Sequence, residues 1–582
     1  MTQLWNEPAD FADEMLSGFA RASSRWVRRV DGGVSRATQS AEPEVAVVIG
    51  GGSGHYPAFG GLVGPGLAHG AAMGDTFASP SARRVASVAR ESERGRGVLL
   101  SYGNYAGDVL HFGSAQDSLR AEGVDCRTVV VTDDIFSAPP EERHKRRGIA
   151  GDLAVFKVAG AAAAAGYDLD DVEQVALRAN HRTRSMGVAF SGCTLPGAQA
   201  PLFAVPEGKM AIGLGIHGEP GIDEVDVPSA AGLAEIFVSK LLDAAEVPDD
   251  ISRFGARVVP ILNGLGSVKD EELYVVFDRV GELLDEAGLE VVDPRVGEFC
   301  TSFDMAGASL TLFWLDDELE RLWLAPADAP SFHAGAVSPS ILIRAGSAST
   351  RTAQAGASRP TATRESRSAA SCVVAVLEAV RDLIEDNAER LGRIDAVAGD
   401  GDHGIGMSRG ARAAATAARE RADSGAGAGS ALIAAGNAWS DRAGGTSGAL
   451  WGVILATLGE AIGDEARPSS ASVTQGVTAA AEAVMAFGKA SVGDKTLVDV
   501  LIPFANRLAI QTSQGARLPS AWSTAASEAQ ADADATAQML PALGRARSHG
   551  EKALGTPDPG AISLALIVER VGAALATSKR TD

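Results

Sequence analysis

The sequence predicts one or two α/β units followed by an all-α domain, and three observations carry that reading. Short β-branched runs alternate with helical patterns up to about residue 330, a stretch rich in Ala, Ser, Thr, Gly and Arg follows, and alanine-dense helical patterns fill the rest. The β-branched runs are Val45 to Ile49, Gly97 to Ser101, Thr128 to Thr132, Ala211 to Ile216 and Val258 to Leu262. Each leads into Gly, Asp, Asn or His, and α/β folds place ligands outside the carboxyl ends of their strands. Residues 334–370 hold two prolines and no sustained apolar period, so they read as a flexible linker. After Ser371, stretches such as ARAAATAARERA and VTAAAEAVMAF predict helices, with glycine or proline mainly between them. The expected boundaries are 1–333, 334–370 and 371–582.

At 582 residues the chain is too long for a single core. With 74 acidic and 52 basic residues its net charge is −22, which repels nucleic acid and anionic membrane. The densest basic run, His144 to Arg147, reads as a solvated face. Cys126, Cys193, Cys300 and Cys372 lie far apart, which argues against a zinc knuckle or disulfide framework and fits core positions in a reducing cytoplasm. The N-terminus lacks an apolar signal core, and the alanine run Ala159 to Ala165 is far short of a membrane span. A soluble, cytoplasmic protein is expected.

Chemistry concentrates in a few segments. RIDAVAGDGDHGIGMSRG places Asp395, Asp400 and Asp402 within eight residues, and Gly399, Gly401 and Gly404 permit a tight turn. Three crowded carboxylates call for a hard cation such as Mg2+. About forty residues later, GGTSGALWG (Gly444 to Gly452) can present amides and hydroxyls to phosphate at a helix N-terminus. Metal plus phosphate cradle reads as a nucleotide site. In the first half, Gly50 to Gly66 holds eight glycines, with Ser53 and His55 in its tight part. It lacks a close G-x-G-x-x-G match and the P-loop lysine, so a small neutral ligand suits it better than nucleotide. GNYAGD delivers Asp108 to the same predicted edge, and AIGLGI running into HGEPG puts His217 at a strand end between glycines. A neutral imidazole can add to a ketone, while a His–carboxylate pair can take a hydroxyl proton. That combination suits a polyhydroxy ketone.

These segments resemble the dihydroxyacetone (glycerone) kinases in their single-chain, ATP-dependent form. GGGSGHYPAF, NYAGD, CTLPG and GIHGEPG are similar to that family's ketose-binding domain, and GDGDHG, GGTSGALWG, GDKTLVDVLIP and GTPDPGA to its nucleotide-binding domain. The resemblance implies a two-lobed α/β ketose domain, usually dimeric, and an all-α eight-helix barrel holding ATP at one end. It implies that His217 forms a hemiaminal with the substrate carbonyl and that His55 and Asp108 position and deprotonate the attacked hydroxyl. Gly52, Ser53 and Gly54 would contact substrate, and Asp395, Asp400 and Asp402 would bind two Mg2+ ions. His403, Gly404, Ile405, Gly406, Thr446, Ser447, Gly488, Thr496, Leu497, Asp558, Pro559 and Gly560 fall at the family's nucleotide contacts. Many relatives carry Lys where this chain has Gly103, so this loop is expected to leave room for one extra hydroxymethylene. The NYAGD form is also similar to the family's erythrulose kinases, which favours erythrulose over dihydroxyacetone. A sugar-sensing coregulator on the same fold and a phosphocarrier-dependent transferase are the other classes, and three metal-binding aspartates with a complete phosphate loop count against the coregulator.

Overall fold

The run Ala46–Ser53 is buried along its whole length, as expected of a strand covered on both faces of a parallel sheet. In the computed structural model, which describes residues 4–577 apart from 220, 337–340, 343–361, 400, 544–546, 548, 549 and 551, this strand lies inside a six-stranded sheet. The strand order is Val27–Val30, Gly33–Arg36, Gly70–Thr76, Ala46–Ser53, Val98–Gly103, Cys126–Val131. The last four strands run parallel, and the first two form an antiparallel hairpin that joins Gly70–Thr76 antiparallel. A second, mainly antiparallel sheet has the order Asp223–Asp226, Lys209–Ile212, Thr183–Ala189, Gly307–Trp314, Arg257–Gly264, Glu290–Val291. Helices pack against both sheets, so the first unit has two α/β lobes; one apolar cluster joins Val47 and Ile49 of the first sheet to Val259, Ile261 and Phe313 of the second, and each sheet has a further cluster of its own.

The chain divides into Met1–Ala348 and Ser349–Asp582. Two sequence expectations need correction at their edges. The run Ala211 to Ile216 is a strand only to Ile212, because Gly213 turns at φ +72. His217 therefore sits in a turn, not at a strand end. The expected linker is partly structured: Phe332–Ala334 pairs with Ala327–Ala329, and Ile341–Leu342 pairs with Thr38–Gln39. Helix Arg364–Asp395 also starts before Ser371, capped by the Thr363 side chain, with Ser366 and Ala370 buried. Polar, small residues hid that first turn; residues 337–340 and 343–361 of the expected linker lie outside the described residues.

The second unit is all helix among its described residues, and the dense alanine and glycine explain its packing. A Cβ on Gly429 would lie 2.6 Å from the Gly459 carbonyl, and one on Gly436 2.8 Å from that of Gly452. Helices Ala428–Ala443 and Gly445–Ile462 thus approach backbone to backbone. Successive helices pack side by side, and the last, Pro559–Thr577, packs against the first, Arg364–Asp395. Inside is an apolar cavity of about 1190 Å³, lined by Trp439, Trp451, Leu455 and Phe504 among others. Gly445–Ile462 and Pro559–Thr577 are long and apolar enough to cross a membrane, which the alanine-run argument did not anticipate. Both place Trp451, Ile562 and Leu564 in the helical core, as core helices do.

Lys157, on helix Asp152–Ala164, is fully buried and donates to the Leu322 carbonyl at 2.7 Å. That carbonyl lies in the last turn of helix Asp317–Trp323, where a cation satisfies an orphan acceptor. Burial pushes the ammonium pKa down to about 7. Between pH 7 and the unfolded value near 10.5, the unfolded chain holds more protons, so stability rises with pH across that window. Thermal melts of the first unit at pH 7 and 9.5 should show a clear rise for the unaltered protein and a flatter one for Lys157→Met. Equal slopes would place the pH dependence elsewhere.

Candidate active sites in the two units

The first site begins where backbone is left bare. Gly54 has φ +110, and a Cβ there would lie 2.7 Å from the rings of both Phe77 and Phe303. A Cβ on Gly52 would lie 2.8 Å from the Ala78 amide. His55 is buried and stacks on Phe77 with centroids 4.8 Å apart. Phe77 and Phe303 sit at φ +53 and +49, a strained conformation for aromatic residues that marks functional sites.

The two histidines meet. His55 Nε2 lies 2.9 Å from His217 Nε2, with the rings perpendicular at 88°. Both Glu219 oxygens accept from His217, Oε2 from the backbone N–H at 3.0 Å and Oε1 from Nδ1 at 3.2 Å. A carboxylate only accepts, so the proton belongs on Nδ1 and His217 Nε2 keeps its lone pair facing His55. His55 Nδ1 faces the Thr301 carbonyl at 2.8 Å. A neutral His55 thus has one proton for two acceptors. The link between the rings is the one a ligand atom can replace without loosening either anchor. Burial, with the neighbouring His217, pushes His55 down to about 3, so it stays neutral in the physiological range. Burial opposes ionisation of Glu219, yet His217 and Arg147 hold its carboxyl well below the usual range. Arg147 stands 3.6 Å from Glu219 and 2.8 Å from Asp134.

Tyr105 presents its ring edge-on to His217 at 4.7 Å, immediately before helix Ala106–Ala121. Asp108 is buried in that helix's first turn. Its charge, after burial and Asp133, helps push Asp152 well above the carboxylate range. Ser53 turns its hydroxyl to the Gly74 carbonyl at 2.6 Å, a contact within the fold. The room expected beside Gly103 is already taken. A Cβ there would lie 3.2 Å from the Gly148 carbonyl oxygen and 3.3 Å from the Tyr105 ring.

In the helical unit, His403–Asp423, Gly445–Ile462, Val498–Ser513 and Pro559–Thr577 bring their N-termini together. His403, buried at the first of these, reaches Ser447 Oγ with Nδ1 at 3.3 Å and Ser563 Oγ with Nε2 at 3.1 Å. A Cβ on Gly560 would lie 3.0 Å from Asp558 Oδ1 and 3.5 Å from Leu497 Cβ, which places the Asp558-Pro559-Gly560 turn beside Thr496 and Leu497. Gly404, Ile405 and Gly406 continue the first turn after His403, and Thr446 precedes Ser447. Gly488 ends helix Ser470–Gly488 against Leu450. Gly444 and Gly445, at φ +62 and +57, supply the left-handed turn that starts the helix carrying Thr446.

Asp395 ends helix Arg364–Asp395 and accepts from the His403 amide at 3.2 Å. Burial and Asp395 push Asp402 up to about 7. Burial, with Asp395 and Asp499, pushes Asp558 up to about 7 against a hydrogen bond from Ala561. Carboxylates crowded and desolvated in this way are the donor set a hard divalent cation neutralises. Asp400 lies outside the described residues, and among those described no three acidic, His or Cys side chains stand close enough to hold a metal. Asp395 and Asp402 fit as two of the carboxylates that would hold such an ion, which would supply charge neutralisation there.

Residues 17–331 match the Dak1 domain and residues 397–573 the DAK2 domain. The chain belongs to the dihydroxyacetone kinase family. It is 59% identical over 577 residues to the L-erythrulose kinase of Pectobacterium atrosepticum, covering 99% of this chain and 97% of that one. It is 50% identical over 574 residues to the D-erythrulose kinase of Mycolicibacterium smegmatis, covering 98% of each. The crystal structure of the dihydroxyacetone kinase from C. freundii in complex with AMP-PNP and Mg2+ is 28% identical, with a TM-score of 0.51 over 99% of both chains.

In this member of the dihydroxyacetone kinase family, sequence reasoning missed Glu219, Arg147, Tyr105 and Phe77. Glu219 could have been found, since a reactive histidine needs an acceptor on its other nitrogen and Glu219 lies two residues on. Tyr105 lies inside the GNYAGD motif without having been picked out, and Arg147 lies in the basic run expected to be a solvated face, where Arg146 is instead fully buried on Glu246 and Arg147 pairs with Asp134 and Glu219; Phe77 gave no local signal. Glu219→Gln should cut kcat/KM about 10²- to 10⁴-fold, because one amide oxygen cannot accept from both N–H groups and the His217 tautomer is lost. Steady-state kinetics against unchanged folding checks it; near-normal kcat/KM would remove Glu219 from the chemistry.

Proposed function

We propose that the chain is an ATP-dependent kinase of a short-chain ketose, with erythrulose preferred to dihydroxyacetone. The observation that carries this reading is the His55–His217 pair, held nitrogen to nitrogen at 2.9 Å, in a chain that also carries the helical unit and its buried aspartates. The erythrulose kinases among its relatives, similar over nearly the full length, support the substrate. Their L and D forms leave the stereochemistry to the assay.

His217 Nε2 adds to the ketose carbonyl carbon and the carbonyl oxygen takes a proton from solvent to become the hemiaminal hydroxyl, while the Nδ1 proton passes through Glu219 to solvent, so the ring ends neutral. Glu219 keeps the His217 ring oriented. His55 and Asp108 hold the hydroxyl to be phosphorylated and take its proton. The Gly52–Gly54 loop, with Ser53, lies against the ligand. Glycerol has no carbonyl to attack and is excluded. In the helical unit, Asp395, Asp400 and Asp402 would hold Mg2+, and the helix N-termini at His403, Thr446, Ser447 and Asp558 would hold the nucleotide phosphates. Mg-ATP supplies the phosphoryl group and the charge neutralisation that phosphoryl transfer needs. The helix ring closed by Pro559–Thr577 on Arg364–Asp395 supports an eight-helix barrel. The family resemblance supports a cytoplasmic homodimer.

Coupled assays with ATP alone, across D-erythrulose, L-erythrulose, dihydroxyacetone and glycerol, should give the highest kcat/KM for an erythrulose and no turnover of glycerol. A dihydroxyacetone optimum would overturn the substrate assignment, and turnover only with a phosphocarrier would overturn the donor. Asp402→Asn should abolish turnover and leave ketose binding intact, measured by calorimetry with the ketose. Near-normal activity at moderate Mg2+ would take Asp402 out of the mechanism.

A further inference from the structure

Lys495 is buried in the helical unit and carries no role in the mechanism above. Its ammonium has three N–H donors, and three backbone carbonyls receive them: Ala553 and Thr556 at 2.8 Å and Met539 at 3.3 Å. Its backbone sits at φ +59, which non-glycine residues adopt only where surroundings enforce it. The enforcing group is Asp499, whose carboxylate accepts from the amides of Gly493 and Thr496, the latter at 2.7 Å.

The carbonyls that Lys495 gathers belong to a segment that departs and returns at one place. Gly555 N–H donates to the Ala537 carbonyl at 2.8 Å, and Asp558 N–H to Thr536 Oγ1 at 2.8 Å. Ala542 N–H donates to the Asp494 carbonyl at 3.2 Å. These bonds draw Thr536, Ala537, Gly555 and Asp558 together into a neck. Lys495 Nζ fills this neck. The chain then passes from Thr556 directly into the Asp558-Pro559-Gly560 turn, while the backbone of Lys495 passes directly into Thr496 and Leu497. One side chain therefore ties together two of the loops at the converging helix N-termini.

We propose that Lys495 is a positioning residue for the nucleotide. It sets the spacing between the Thr496–Leu497 loop and the Asp558–Gly560 turn, and so governs the affinity for Mg-ATP without touching it. The inference rests on the reading of the helical unit as the nucleotide site. A compact ammonium is required because three convergent carbonyls need three donors from one point, which a planar guanidinium cannot supply.

The test compares Lys495→Met and Lys495→Arg with the unaltered full chain, measuring KM for ATP, KM for the ketose, kcat and direct Mg-ATP binding by calorimetry. Lys495→Met should raise KM and Kd for ATP about tenfold or more, with a smaller change in kcat and none in ketose KM. Lys495→Arg should recover part of that loss. An unchanged ATP KM in Lys495→Met overturns the inference, as does a fall in kcat alone. Circular dichroism reports folding of each variant, and Lys495→Gln, which keeps a donor, decides by the same criteria if the methionine variant is unfolded. Absence of Mg-ATP binding by the unaltered protein overturns instead the reading of the site.

Discussion

The first unit is organised around a hydrogen-bond chain with an acceptor at each end. Glu219 and the Thr301 carbonyl fix the outer nitrogens of His217 and His55, so the inner nitrogens face each other by default. Everything near the pair serves to keep that arrangement dry and in register. Phe77 stacks on one ring, Tyr105 meets the other edge-on, and the bare backbone of Gly52 and Gly54 lets Ala78, Phe77 and Phe303 close against the loop. The cost is borne by Phe77 and Phe303 in left-handed backbone.

The second unit answers a different demand with different means. It offers converging helix N-termini and buried carboxylates with pKa values pushed up to about 7. Positive helix ends suit phosphate, and crowded carboxylates suit a metal. Together they describe a site for a polyanion accompanied by its cation. In the proposed reaction the two units divide the work by chemistry: neutral nitrogen for the carbonyl compound, and paired charge for the donor.

Much of this was legible in the sequence wherever function used adjacent residues. The glycine-rich turn with His55, the HGEPG turn with His217 and the Asp395 to Asp402 segment all announce themselves as short motifs. The alternating β-branched runs gave the first unit, and alanine density gave the second. What was hidden depends on tertiary contact. Phe77 reaches the site from a segment with no motif, Arg147 comes from a basic run whose acidic partners Asp134 and Glu219 are supplied by the fold, and the antiparallel second sheet has runs no different in composition from the parallel one. The start of helix Arg364–Asp395 was hidden because its first turn is polar, and its burial depends on a partner, the Ala428 amide that donates to Ser366 Oγ. Gly103 misled for a related reason. Missing side chains leave empty space only if nothing else moves in, and here Gly148 has.

The glycine seam between Ala428–Ala443 and Gly445–Ile462 fixes more than packing. Because Gly429, Gly436, Gly452 and Gly459 bring two backbones into contact, the separation of these helices is set by main-chain atoms, whose dimensions no rotamer can adjust. Helix Gly445–Ile462 carries Ser447 at its mouth, and His403 bridges from Ser447 to Ser563 on a third helix. The seam therefore acts as a gauge for the mouth. A single methyl added at Gly459, about 18 Å along the helix from Ser447, would be read out as a change in the spacing of Ser447, His403 and Ser563.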